Sequence, residues 1–235
     1  MNDLQSYFEN NTGRLIHKWH HYFEIYDRHF ARYRGRSPRV LEIGVAQGGS
    51  LQMWRDYFGP GTRIFGVDIN PACKSLAAEG TEIFIGDQSD RAFLRRVGEA
   101  VGSIDILIDD GGHRMEQLRA TFDELFHRVD AEGVYLAEDL HTCYWEEFGG
   151  GYREPDSFIE FSKSLVDKLN AWHSRDRRLQ VDDFTRNVHS MHYYDSILVI
   201  EKRPIGKPQH SKTGTATVPE WIPAPPTRGW RRWFG

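Results

Sequence analysis

The stretch Arg39-Val-Leu-Glu-Ile-Gly-Val-Ala-Gln-Gly-Gly-Ser50 constrains the fold of this chain more than any other. An apolar run ends on Glu42, Gly44 and Gly48 frame a tight turn, and a helical pattern runs from Ser50 to Phe58. This is strand, glycine turn, helix, the opening unit of an open parallel α/β sheet. Glycines let a backbone come close to a ligand, and a helix N-terminus presents free N–H groups. The spacing is acid-x-Gly-x-x-x-Gly, not the Gly-x-Gly-x-x-Gly of a dinucleotide site. A pyrophosphate needs the helix N-terminus close and no acid beside it. An acid at the strand end suits a cationic or zwitterionic ligand instead.

Two more strand tips carry polar groups. Arg63–Ile69 is an apolar run ending at Asp68, and Asn70-Pro71 follows as helix cap and first helical residue. Glu82–Asp90 is a third, with Asp87-Gln88 at its tip. One acid at such a tip commonly caps the next helix. Three in this order fit S-adenosylmethionine (SAM), which carries a sulfonium and an amino group. Glu42, Gly44, Gly48 and Ser50 form the loop side of that site. Asp68 stands where a carboxylate takes two ribose hydroxyls, and Asp87 and Gln88 where the adenine edge lies.

From Arg39 to about Lys202, apolar runs alternate with amphipathic helical patterns, which argues for parallel βαβ units. The fourth and fifth runs are Ile104–Ile108 and Gly133–Ala137, with helices expected at His113–Val129 and Asp156–His173. Val188–Tyr194 and Ser196–Lys202 read as a closing antiparallel pair turning at Asp195. The expected fold is a Rossmann-like class I SAM methyltransferase fold, mostly parallel with an antiparallel edge strand. Residues 1–38 read as a helical, His- and aromatic-rich segment on the acceptor side, residues 39–202 as the methyltransferase domain, and 203–235 as a flexible Pro/Gly-rich tail. The tail ends in the basic, aromatic Gly229–Gly235.

The 235 residues suit one sizeable core. A hydrophobic content of 39% and a net charge of −4 argue against wholesale disorder and against a nucleic-acid partner. No run is long enough to span a bilayer and the N-terminus does not read as a signal peptide, so a cytoplasmic location is expected. Cys73 and Cys143 are far apart and in no metal spacing, as expected of reduced thiols.

The chemistry concentrates after the fourth and fifth strands, in Asp109-Asp-Gly-Gly-His113 and Glu138-Asp-Leu-His141. In a parallel sheet both segments emerge at the carboxyl edge, where the glycine loop also sits. Four carboxylates, Asp109, Asp110, Glu138 and Asp139, are then expected in one crevice, where they would repel one another. A divalent cation resolves this. An all-oxygen set favours Mg²⁺, with Mn²⁺ or Ca²⁺ as substitutes, over Zn²⁺. Asp109 is assigned to the cofactor side, and Asp110, Glu138 and Asp139 to the metal. His113, one glycine turn beyond Asp110, is the first candidate general base, since an imidazole titrates near neutrality. His141 is the second.

These motifs together resemble the metal- and SAM-dependent sugar O-methyltransferases that tailor macrolide deoxysugars, a family whose relatives are often labelled cephalosporin-hydroxylase-like. The resemblance runs from about His17 to Arg203. It includes Lys18-Trp19, Leu41–Val45 with Gly48–Leu51, Ile64–Asp68, Gly86–Asp90, Asp109–His113, Glu138-Asp139, Tyr144-Trp145 with Phe148–Gly150, and His192–Asp195. It implies SAM held by the glycine loop, Asp68, Asp87 and Gln88. It also implies a metal on Asp110, Glu138 and Asp139, His113 as base, a sugar-containing acceptor and a homo-oligomer. Members often carry Gly-Thr-Asp-Lys before the first helix, where this chain has Thr12-Gly13-Arg14. Others are longer, with an extra N-terminal domain. Both departures bear on the acceptor. Methylation of a catechol-like phenol and a non-catalytic SAM-fold binding protein are the competing readings. An iron hydroxylase needs two His and one carboxylate, which the acid set does not match.

Overall fold

The structure is a computed structural model that describes residues 2–221. The basic aromatic end, Gly229–Gly235, lies outside the described residues. Among those described, no helix is long and apolar enough to cross a membrane.

Seven strands form one sheet: β1 (Arg39–Ile43), β2 (Arg63–Asp68), β3 (Thr81–Ile85), β4 (Ile104–Asp109), β5 (Val129–Ala137), β6 (Val188–Tyr194) and β7 (Ile197–Lys202). Their order is β3-β2-β1-β4-β5-β7-β6. The first five run parallel, and β7 lies antiparallel to both β5 and β6. This is the class I methyltransferase fold. The reversed strand is thus one place in from the edge, because the Tyr194–Ile197 hairpin folds β6 outside β7.

Side chains alternate across the sheet, as the two-residue strand period requires. On β4, Ile106 and Ile108 face one core and Leu107 the other, beyond a register irregularity between Ile104 and Ile106. The first core lies under α1 (Asp3–Glu9), α2 (Tyr22–Phe30) and α3 (Gly49–Phe58), the second under α4 (Arg91–Val101), α5 (Met115–Leu125) and α6 (Phe158–Leu169). A short α7 (Asp183–Asn187) leads into β6.

Residues 1–38 are not a continuous helical region. Residues 10–21 are irregular, because Asn11 ties down a local turn: its side chain accepts from Gly13 N–H and donates to the Arg14 carbonyl. The flanking helices belong to the main body. Tyr26 and Phe30 of α2 pack edge-on against the fully buried Trp54 of α3, with ring centroids 5.2 and 5.8 Å away. The irregular segment between them passes over the carboxyl ends of the strands and becomes a wall of the cleft described next.

Candidate active site

A cleft of about 410 Å³ opens at the carboxyl edge of the sheet. Its floor is the loop after β1, its sides are the tips of β2 and β3 and the Asp110–His113 turn, and its outer wall is Leu15–Lys18.

On the cofactor side, Gly44, Ser50, Asp68, Asp87 and Gln88 all line this cleft. Gly44 has φ +94°, and a Cβ there would lie 1.9 Å from the Asp110 carbonyl oxygen. Its close approach is to the protein's own backbone, and it also lines the cleft as expected of the glycine loop. Gly48 has φ +74° and caps α3 without lining the cleft. Asp68 Oδ2 accepts from Ala46 N–H at 2.9 Å, and its Oδ1 accepts from Asn70 N–H at 2.8 Å. The carboxylate therefore locks the glycine loop to β2 and keeps lone pairs for a ligand. Asp87 Oδ1 accepts from Ser89 N–H at 2.7 Å, and this bond and its side-chain counterpart hold its carboxyl below the usual range.

Two assigned residues turn away from the cleft. Glu42 is fully buried and accepts from Ser50 Oγ at 2.8 Å. Burial pushes its carboxyl up to about 7, against the pull of Lys18. Asp109 is also fully buried, accepting at Oδ1 from Gln88 Nε2 at 2.7 Å, and burial raises it to about 7. It reaches the cleft only through Gln88, so a direct cofactor contact is corrected. The cause is strand alternation: Asp109 follows Leu107 onto the α5 face. Gln88 in turn has little amide left for an adenine edge. Its Nε2 donates to Asp109 and to Thr121 Oγ1 at 2.9 Å, and its Oε1 accepts from Gly112 N–H.

Asp110 and Glu138 fall on the opposite face and meet there a residue the motif reading did not single out. Lys18 Nζ donates to Asp110 Oδ2 at 2.5 Å and to Glu138 Oε2 at 2.8 Å. The Lys18 side chain is 3% exposed and Glu138 is fully buried. Burial works against the ammonium, and the two carboxylates outweigh it, so its pKa is raised. Four carboxylates therefore do not share one crevice: Asp110 and Asp139 line it, Glu138 lies beneath Lys18, and Asp109 is sealed behind. Glu138 Oε1 is buried without a partner.

His113 lines the cleft, with Nε2 3.5 Å from Asp139 Oδ2 and 4.0 Å from Asp110 Oδ1. Ligand atoms of Asp110, His113 and Asp139 all lie within 4.8 Å of one another. His113 and Asp139 both have left-handed backbones, φ +56° and +54°, a conformation that costs a non-glycine residue about 1–2 kcal/mol. Tyr22 of α2 fixes Asp139 by donating to Oδ1 at 2.7 Å. His141 stands outside the cleft lining, its Nδ1 2.6 Å from Ser196 Oγ and its ring between Trp19 and Trp145 at 5.9 and 4.8 Å. Only the Lys18-Trp19 match pointed to Lys18. Nothing in the local sequence marked Tyr22, which reaches Asp139 across 117 positions of chain.

The chain matches no protein-family profile. It is similar to several curated sugar O-methyltransferases. It is 42% identical over 200 residues to the 8-demethyl-8-alpha-L-rhamnosyl tetracenomycin-C 2'-O-methyltransferase of Streptomyces olivaceus, covering 79% of this chain and 52% of that protein. It is 35% identical over 229 residues to the demethylmacrocin O-methyltransferase of Streptomyces fradiae, covering 92% and 55%. Among solved structures, the mycinamycin-pathway methyltransferase MycE in complex with Mg and SAH superposes with a TM-score of 0.76 at 33% identity, over 86% of this chain and 54% of that one. The chain spans about half the length of the curated relatives it matches. Over that shared length, the chain belongs to the family of these sugar O-methyltransferases.

Proposed function

We propose that this protein is a SAM- and Mg²⁺-dependent O-methyltransferase acting on a sugar hydroxyl of a glycan or glycosylated natural product, with His113 as general base. The observation that carries the reading is the convergence of Asp110, His113 and Asp139 at one end of a cleft built from the glycine loop and the Asp68 tip. Relatives named for 2'-O- and 3'-O-methylation of rhamnosyl tetracenomycins support a sugar acceptor. The Mg and SAH bound to MycE support the metal and the cofactor.

The residues present fit a hard divalent cation. Asp110, Glu138 and Asp139 are all-oxygen donors, and the buried Glu138 Oε1, which has no hydrogen-bond partner while Lys18 takes Oε2, is open to a cation. When bound, Mg²⁺ supplies Lewis acidity that makes an acceptor hydroxyl easier to deprotonate. The chain's own residues do the rest. The loop after β1 and Asp68 hold the methyl donor, and Ile69, an exposed apolar residue at the cleft lip, offers a face to its base. His113 Nε2 takes the acceptor proton, and Asp139, anchored by Tyr22, steadies the resulting imidazolium. Leu15–Lys18 form the outer wall on the donor side of the cleft. Orienting donor and acceptor supplies much of the rate.

The test is methyl transfer from SAM to a panel of deoxysugar glycosides, followed by mass spectrometry. Transfer should stop in EDTA and return with added Mg²⁺. Undiminished transfer in chelator would remove the metal from the reading, and no SAH binding by calorimetry would remove the cofactor.

A further inference from the structure

Two of the three carboxylates assigned to the metal are already bridged by a buried cation, the Lys18 ammonium. It belongs to the segment that walls the cofactor cleft. Upstream, the wall is anchored by Arg14, whose N–H donates to Gln52 Oε1 at 3.0 Å and whose guanidinium reaches the Leu76 carbonyl. Leu15 then runs so close to the start of α3 that a Cβ at Gly49 would stand 2.3 Å from its carbonyl oxygen. Downstream, Lys18 is the wall's polar tie to the sheet, and Trp19 beyond it is 55% exposed. Without a positive charge between them, Asp110 and Glu138 would face one another in a dry setting, where like charges repel strongly.

We propose that Lys18 is a positioning residue that holds Asp110 and Glu138 together in place of the metal and competes with it for their charge, so that metal loading and closure of the Leu15–Lys18 wall are linked. This rests on the reading of Asp110 and Glu138 as metal carboxylates. An ammonium and a divalent cation draw on the same carboxylate charge. Each therefore weakens the hold of the other, and the wall is fastened most tightly when the metal is absent. A purely structural ion pair predicts the opposite: losing it would scatter the carboxylates and weaken metal binding.

The experiment is calorimetric titration of MgCl₂ into the wild-type protein and Lys18→Met, with thermal melts of both in EDTA and in Mg²⁺. Removing one unit charge beside two ligands should tighten Mg²⁺ binding by about tenfold or more, while the melt in EDTA drops and Mg²⁺ restores it. Equal or weaker Mg²⁺ binding by folded Lys18→Met overturns the proposal. Absence of Mg²⁺ binding in both proteins instead overturns the metal reading beneath it. Hydrogen exchange on the wild-type protein needs no variant: amides of residues 15–19 should exchange faster once Mg²⁺ is bound. Unchanged exchange under conditions where calorimetry shows saturation also overturns the link.

Discussion

The Gln88 amide donates to Asp109 Oδ1 at 2.7 Å and accepts from the Gly112 N–H at 2.9 Å, so one side chain from the β3 tip fixes the turn that carries His113. Asp109 is inaccessible to water that could replace the amide, while Gly112 sits on the exposed side of the turn. Gln88→Leu keeps the volume and removes both bonds. Unfolding free energy from urea titration should fall by about 1–3 kcal/mol, and methyl transfer should fall with it. Wild-type stability and rate in this variant would show that the turn holds itself.

Asp68 ties the glycine loop to β2 through Ala46 N–H. Asp68→Ala should weaken SAH binding by roughly 1–3 kcal/mol, the scale of a lost hydrogen bond to a charged group. Calorimetry is the check. Unchanged affinity would confine Asp68 to holding the loop.

The two histidines separate by geometry. His113 lines the cleft beside Asp139, whereas His141 is hydrogen-bonded to Ser196 and flanked by indoles. His113→Ala should lower kcat by about 10²–10⁴-fold with SAH affinity near wild type. His141→Ala should leave the pH profile of the rate in place. A dead His141 variant beside a normal His113 variant would move the proton transfer to the wrong side of Asp139 for this reading.

Glu42 gives a pH signature. Burial holds its carboxyl up at about 7 in the folded protein, against an ordinary value of 4.5. The folded state then binds the proton more tightly than the unfolded state, so Glu42 lowers stability as pH rises from about 4.5 to about 7, and the loss is complete above that window. The full effect is about 3 kcal/mol. Glu42→Gln should flatten this part of the profile. Denaturant titrations of both proteins across that range, without metal or cofactor, make the comparison, and parallel profiles would exclude Glu42 as the titrating group.

The sequence by itself determined the strand-turn-helix opening, the alternation of strands and helices, and the two acid-bearing tips after β4 and β5. All of these are local: a period of two for strands, a period near 3.6 for helices, and glycine or Asn-Pro punctuation at the turns. The motif spacing also placed Asp68, Asp110, His113 and Asp139 at one edge, because parallel strands put all their carboxyl ends on the same side. What the tertiary structure decided was which way each acid faces and what meets it there. Asp109 and Asp110 are neighbours in the chain, yet the pleat sends one to Gln88 and the other to Lys18. Lys18 lies 92 positions away in an irregular segment with no periodicity to read. Its pairing with Asp110 and Glu138 depends on where that segment crosses the sheet, which is set by the packing of α2 on α3, and no local pattern encodes it.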